Sequence, residues 1–128
     1  MVRSAGPLAG VTACLLLAKT DLLVVLAVDL PHMDAGYLAG LAGRSTPVRG
    51  AVPERAGDFE PLAAVYPALL QELAADRLRQ GRYAMQDFVR EALRRELVDL
   101  VPVSDKDNAK FTNLNLPEDL AALDGYPR

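Results

Sequence analysis

The stretch LLVVLAVDLP, residues 22–31, decides how the rest of this 128-residue chain is read. It is short, rich in β-branched residues and apolar at consecutive positions rather than alternate ones. That is the pattern of a strand covered on both faces, as in the centre of a parallel sheet. Asp29 then stands at the carboxyl end of the strand, with Pro31 two positions on. In open α/β sheets, ligands bind outside the carboxyl ends of the strands. A carboxylate there can hold Mg²⁺ while water and phosphate oxygens complete the octahedron. It can equally well cap the turn that DLP makes. The residue type alone leaves both readings open.

Working outward, the small and apolar residues at 8–19 predict a buried helix with Leu8, Val11, Leu15 and Ala18 on one face. Pro7 suits its first position, where a missing N–H costs nothing. A short helix is expected at 35–42, with Asp34 as its N-cap. PVRGAVPE (47–54) reads as a strand, RAGD (55–58) as a turn and PLAAVY (61–66) as the returning strand, although its alanines weaken the last reading. Pro67 opens a helix through 78, closed near Gly81. A second helix over 84–95 carries the stripe Met85, Phe88, Val89, Ala92 and Leu93. ELVDLVPV (96–103) is a further strand, SDKDNAK (104–110) a loop, and LPEDLAAL (116–123) a terminal helix led by Pro117 with acids in its first turn. Strands alternating with helices indicate an α/β fold with a mostly parallel sheet, in one domain over residues 1–128.

Composition excludes several function classes. Acidic residues outnumber basic ones, 17 to 14, and there is no Trp, which argues against a nucleic-acid binder. One His and one Cys cannot build a His/Cys zinc site. A single cysteine forms no intramolecular disulfide, so a reducing compartment, the cytoplasm, is expected. The amino-terminal residues have a basic residue and an apolar run, as a signal peptide does, and VTAC (11–14) is like a lipoprotein cleavage box. The apolar run is broken by GPLAG and later by Lys19 and Asp21, so neither export nor a membrane span is expected.

The candidate motifs are each ambiguous alone. GPLAG (6–10) either lets backbone approach an anion at a helix start or simply marks a turn. In FTNLNLPEDL (111–120), Asn113 and Asn115 fall on one side of an extended segment. They can grip a ribose or phosphate, or cap the following helix. Glu60 beside Pro61 reads as a hairpin end, His32 as a surface residue and Cys14 as a core residue of the first helix. The arginines of DRLRQGR, Arg77, Arg79 and Arg82, read as a solvated helix face, with anion binding as the alternative.

Taken in order, GPLAG, LLVVLAVDLP, EPLAAVY and FTNLNLPEDL make the chain resemble the molybdenum cofactor guanylyltransferase family. The likeness is to the C-terminal two-thirds of that family's nucleotidyltransferase domain. It implies a three-layer α/β/α Rossmann-like fold. It implies transfer of GMP from GTP to molybdopterin-bound molybdenum, with release of pyrophosphate. By this resemblance Asp29 is the catalytic acid that binds Mg²⁺ with the nucleotide, and Gly6, Pro7, Leu8 and Gly10 form a loop beside that nucleotide. Asn113 and Asn115 lie on the molybdopterin side, and Pro61 and Leu62 are structural. Such a reaction needs no side-chain nucleophile, because a pterin phosphate oxygen attacks the α-phosphorus and the protein supplies positioning and charge neutralisation.

The resemblance also leads one to expect, ahead of GPLAG, a strand, a glycine-rich loop with an arginine and a lysine that grips the triphosphate, and a further acid; here five residues precede Gly6. Leu116 replaces a usual capping Thr and His32 a usual aromatic. Whether the chain catalyses alone is therefore left open. The alternatives are a non-catalytic or vestigial partner of a full-length enzyme, or a related nucleotidyltransferase using CTP or a sugar phosphate. GTP and molybdopterin are the expected partners, with no nucleic acid and no membrane. An open sheet edge adds self-association or pairing with a full-length subunit.

Overall fold

The computed structural model describes residues 6–27 and 29–112. The elements run α1 (Gly6–Leu17), β1 (Leu22–Leu26), α2 (Ala35–Gly43), β2 (Gly50–Arg55), β3 (Asp58–Phe59) and β4 (Ala63–Pro67). A 3-10 turn (Ala68–Leu70) leads into α3 (Gln71–Arg79), followed by α4 (Met85–Arg94), β5 (Val98–Pro102) and a 3-10 helix (Asp105–Phe111). The stretch expected to be a loop at 104–110 is thus mostly helical, and the expected terminal helix at 116–123 lies outside the described residues.

The expected three layers are present. On one side of the sheet, Leu8, Val11 and Leu15 of α1, Leu73 and Ala74 of α3, and Phe88, Val89 and Ala92 of α4 pack on Val52, Ala64, Tyr66 and Val98. On the other side, Leu41 of α2 packs on Ala51 and Val65, and Phe111 packs on Leu30 and Ala63. In β4, successive side chains enter opposite layers: Ala63 and Val65 face α2 and the 3-10 helix, while Ala64 and Tyr66 face α1, α3 and α4. The α4 stripe is the expected one, with Met85, Phe88, Val89 and Ala92 buried. Tyr66 stacks edge-on to Phe88 at 5.7 Å, and its hydroxyl donates to the Pro61 carbonyl at 2.6 Å.

Sheet order departs from expectation. Strands β1, β2 and β5 point the same way, but β4 lies antiparallel between β1 and β2, and β3 is antiparallel to β2. Only the β2–β5 pairing is parallel, so the sheet is mixed rather than mostly parallel. Among the described residues β1 pairs with β4 alone and ends the sheet, so it is not the central strand that its sequence suggests. Leu23 and Val25 pack under α1, while Val24 and Leu26 are 47% and 45% exposed.

The alanines that weaken β4 as a strand are its means of fitting the middle of the sheet. All five of its residues are buried, and small side chains let helices approach from both sides. Gly50 is needed for a similar reason: a Cβ there would stand 2.0 Å from the Val65 carbonyl oxygen. At the other end of β2, the side-chain amide of Gln86 in α4 pairs with the β3 backbone. Its Nε2 donates to the Phe59 carbonyl (2.9 Å), and the Phe59 N–H donates to Oε1 (3.1 Å).

Two side chains lie elsewhere than expected. Cys14 is exposed, because it sits off the Leu8–Val11–Leu15 stripe. Arg77 is buried, because it continues the stripe of Leu70, Leu73 and Ala74.

Candidate functional site

Because β1, β2 and β5 share a direction, their carboxyl ends meet at one edge of the sheet. Three segments converge there: the turn after β1, the β2–β3 hairpin and the 3-10 helix after β5. Sequence-distant polar contacts hold them together. Arg55 donates through Nε to Glu60 (3.1 Å) and through Nη1 to the Asn108 side chain (2.9 Å), and its guanidinium lies 5.1 Å from the Phe111 ring centre. Phe111 in turn meets Tyr37 edge-on at 5.5 Å. Asp34 caps α2 by accepting the Tyr37 N–H at 2.7 Å, and its other oxygen pairs with Lys110. The Lys110 hydrogen bond, with the Tyr37 N–H, holds the Asp34 carboxyl below its ordinary range, and the same pair raises Lys110.

Asp29 stands in the turn just past β1, half-buried. Its neighbour Leu30 is anchored in the Phe111 cluster, so the turn is fixed on one side. Among the described residues the Asp29 carboxylate has no ion-pair partner. GPLAG forms the first turns of α1, starting at Gly6 with φ +52°, a conformation that favours glycine. Pro7 and Gly10 line an apolar groove of about 410 Å³ with β1 residues through Ala27, two positions before Asp29. The loop and the end of β1 therefore border one groove, which Asp29 itself does not line. Gly10 faces open space, so packing does not require it to be glycine. Leu8 differs from its companions: its side chain is wholly buried in the core, which leaves only its backbone to face a ligand. Asn113 and Asn115 lie outside the described residues; Thr112 is the last described residue before them. His32 is exposed, as expected.

A second cavity of about 530 Å³ opens beside the same edge, between α2 and the 3-10 helix. It is lined by Asp34, Tyr37, Arg44, Lys106, Asp107 and Lys110, and not by Asp29. The Tyr37 hydroxyl is buried without a hydrogen-bond partner among the described residues, and burial raises its pKa, so it is a neutral donor. Sequence reasoning did not single out Tyr37 or Lys110. The available signal was the N-cap Asp34, which fixes Tyr37 three residues later on the first turn of α2. Among the described residues, no three acidic, His or Cys side chains converge to hold a metal, and no helix is long and apolar enough to cross a membrane.

Residues 2–98 match the family model described as the MobA-like NTP transferase domain. The chain belongs to this family. Curated relatives match along nine-tenths of its length. It is 39% identical over 118 residues to the probable molybdenum cofactor guanylyltransferase of Opitutus terrae, a match covering 90% of this chain and 58% of that protein. It is 36% identical to the molybdenum cofactor guanylyltransferase of Pseudomonas aeruginosa, covering 91% of this chain and 57% of that protein. Its fold matches the crystal structure of molybdopterin-guanine dinucleotide biosynthesis protein A from Archaeoglobus fulgidus. There the TM-score is 0.69 and the identity 28%, over 91% of this chain and 60% of that one. The chain thus spans less than two-thirds of the length of these relatives.

Proposed function

We propose that this chain carries the metal-holding and pterin-facing part of a molybdenum cofactor guanylyltransferase, which transfers GMP from GTP to molybdopterin-bound molybdenum and releases pyrophosphate. The observation that carries the reading is the 39% identity over nine-tenths of the chain to a protein named for that activity. The position of Asp29 at the carboxyl edge of the sheet supports it, since ligands in such folds bind there.

Asp29 fits Mg²⁺ but not a metal that needs an all-protein cage. One unpaired carboxylate suffices for Mg²⁺, which keeps waters and takes substrate phosphates as further ligands. When bound, the ion neutralises phosphate charge. The chain's own residues have simpler tasks. Asp29 holds its carboxylate at the sheet edge, and Gly6, Pro7 and Gly10 leave room for a nucleotide to approach the α1 backbone. Asn113 and Asn115 are assigned to the molybdopterin side. No proton relay is assigned, because the attacking group is already a phosphate oxygen.

A chimera tests this reading. The chain replaces the matching part of the Opitutus terrae protein, and pyrophosphate release is measured with GTP, Mg²⁺ and molybdopterin. The folded chimera should release pyrophosphate from GTP and not from CTP. Asp29→Asn should lower the rate on the order of 100-fold, the scale of losing one electrostatic contact to the transition state. A folded chimera without turnover would overturn the catalytic reading, and turnover with CTP alone would overturn the choice of nucleotide.

A further inference from the structure

Among the described residues Arg77 is the one buried charged side chain, 6% exposed. It occupies a position on α3 that periodicity reserves for an apolar side chain, following Leu70, Leu73 and Ala74. Its Nε and Nη1 atoms are buried and have no hydrogen-bond partner among the described residues. Two guanidinium nitrogens removed from water without an acceptor are disfavoured, so this arrangement calls for one.

The side chain lines a cavity of about 530 Å³ between the end of α3 and the outer face of α4. Arg82, Arg90 and Arg94 line it too, together with Asp87 and Glu91. Both acids are already engaged. Asp87 pairs with Arg90, and Glu91 accepts from Arg94 and from Arg95. Arg77 and Arg82 have no carboxylate among the described residues. Four guanidinium groups against two spoken-for carboxylates leave the cavity cationic. No residue lining it also lines the groove at β1 or the cavity at Tyr37.

We propose that this cleft is an anion site for a phosphate-class oxyanion, held by Arg77 from within and Arg82 from the rim. Guanidinium forks match the spacing of phosphate oxygens and bind them in pairs of charge-assisted hydrogen bonds. The buried Arg77 supplies the part of the interaction that salt screens least, and the exposed arginines draw the anion in. The site is separate from the Asp29 edge and does not depend on the guanylyltransferase reading. Its ligand is either free phosphate or pyrophosphate, or the phosphate group of a nucleotide.

Titration calorimetry on the full chain at low salt and without Mg²⁺ tests the site, with inorganic phosphate, pyrophosphate and GTP as separate arms. At least one arm should show saturable binding. Arg77→Met, which fills the stripe position with an apolar side chain, and Arg82→Gln should each weaken it about tenfold or more. Lys19→Gln, which removes an exposed cation that does not line the cleft, should leave it unchanged. Binding by GTP alone would assign a nucleotide phosphate, and binding by pyrophosphate or phosphate a free anion. Arg82→Gln is exposed and keeps the test valid if Arg77→Met fails to fold. The proposal is overturned if no arm binds, if both arginine variants bind like the parent, or if Lys19→Gln weakens binding as much as they do.

Discussion

At Gly50 one hydrogen atom stands where any other residue would place a carbon inside the β4 backbone. A Cβ would meet the Val65 oxygen at 2.0 Å and the Val65 carbonyl carbon at 2.8 Å, and backbone cannot swing aside as a flexible side chain can. Gly50→Ala is expected to destabilise the chain by about 3 kcal/mol, the upper end of overpacking costs, in a urea unfolding series. Tyr66→Phe is milder. It keeps the ring against Phe88 but strips the Pro61 carbonyl of its 2.6 Å donor, so a loss of about 1 kcal/mol is expected in the same series. Neither effect is legible in sequence, because both partners are set by how chain segments cross in space. Cys14 and Arg77 show the limits of reading by residue type. Periodicity alone places Cys14 about 100° from Leu15 around the helix, off the buried stripe, and Arg77 on its own helix's stripe. Residue chemistry suggested the opposite for each, and geometry prevailed.

At the scale of elements, α4 shows how a helix with a fully apolar inner face organises its outer one. Its buried residues Met85, Phe88, Val89 and Ala92 leave Asp87, Arg90, Glu91 and Arg94 to pair along the surface at helical spacing. Hydrogen bonds from Arg94 and then Arg95 lower the Glu91 carboxyl from 4.5 to about 2. The folded chain therefore binds this proton less readily than the unfolded one. The stabilising contribution is present above pH 4.5 and fades as pH falls toward 2. Carbon-13 NMR should find the Glu91 midpoint near 2 in the parent, and the double variant Arg94→Ala, Arg95→Ala should return it toward 4.5. A parent midpoint already near the ordinary value would refute the pairing. The element was well anticipated, since its stripe and its boundaries follow from local spacing. The hairpin was anticipated only in part: the RAGD turn forms, but the returning strand β4 pairs with β2 in register at Ala51 and Val65 alone and otherwise runs beside β1.

On the scale of the whole molecule, the sheet formed by the described residues ends at β1. The strand has one partner among the described residues, and Val24 and Leu26 are exposed along it. An apolar strand with an unpaired edge is a template for another strand. The isolated chain should therefore self-associate as its concentration rises, as read by size-exclusion chromatography with light scattering. Val24→Lys with Leu26→Lys should shift it toward monomer while circular dichroism stays unchanged, because neither side chain is in the core. A parent chain that is monomeric throughout would show that the edge is not adhesive. The match to the Opitutus terrae relative covers 58% of that protein.

The amino-acid sequence by itself determined most of the described element types, though not the 3-10 helix at Asp105–Phe111, together with the buried stripes of α1 and α4, the layered α/β class and the placing of Asp29 past a strand end. These follow from local periodicity and turn chemistry, which neighbouring residues carry between them. The tertiary structure alone decided that β4 enters between β1 and β2, that β1 has no second partner among the described residues, that Gly50 must be glycine, and that Lys110 reaches Asp34 across 76 positions. Strand order depends on pairing between distant segments, and an apolar strand offers the same pattern to any partner. Only the competition among all the packed faces selects one arrangement.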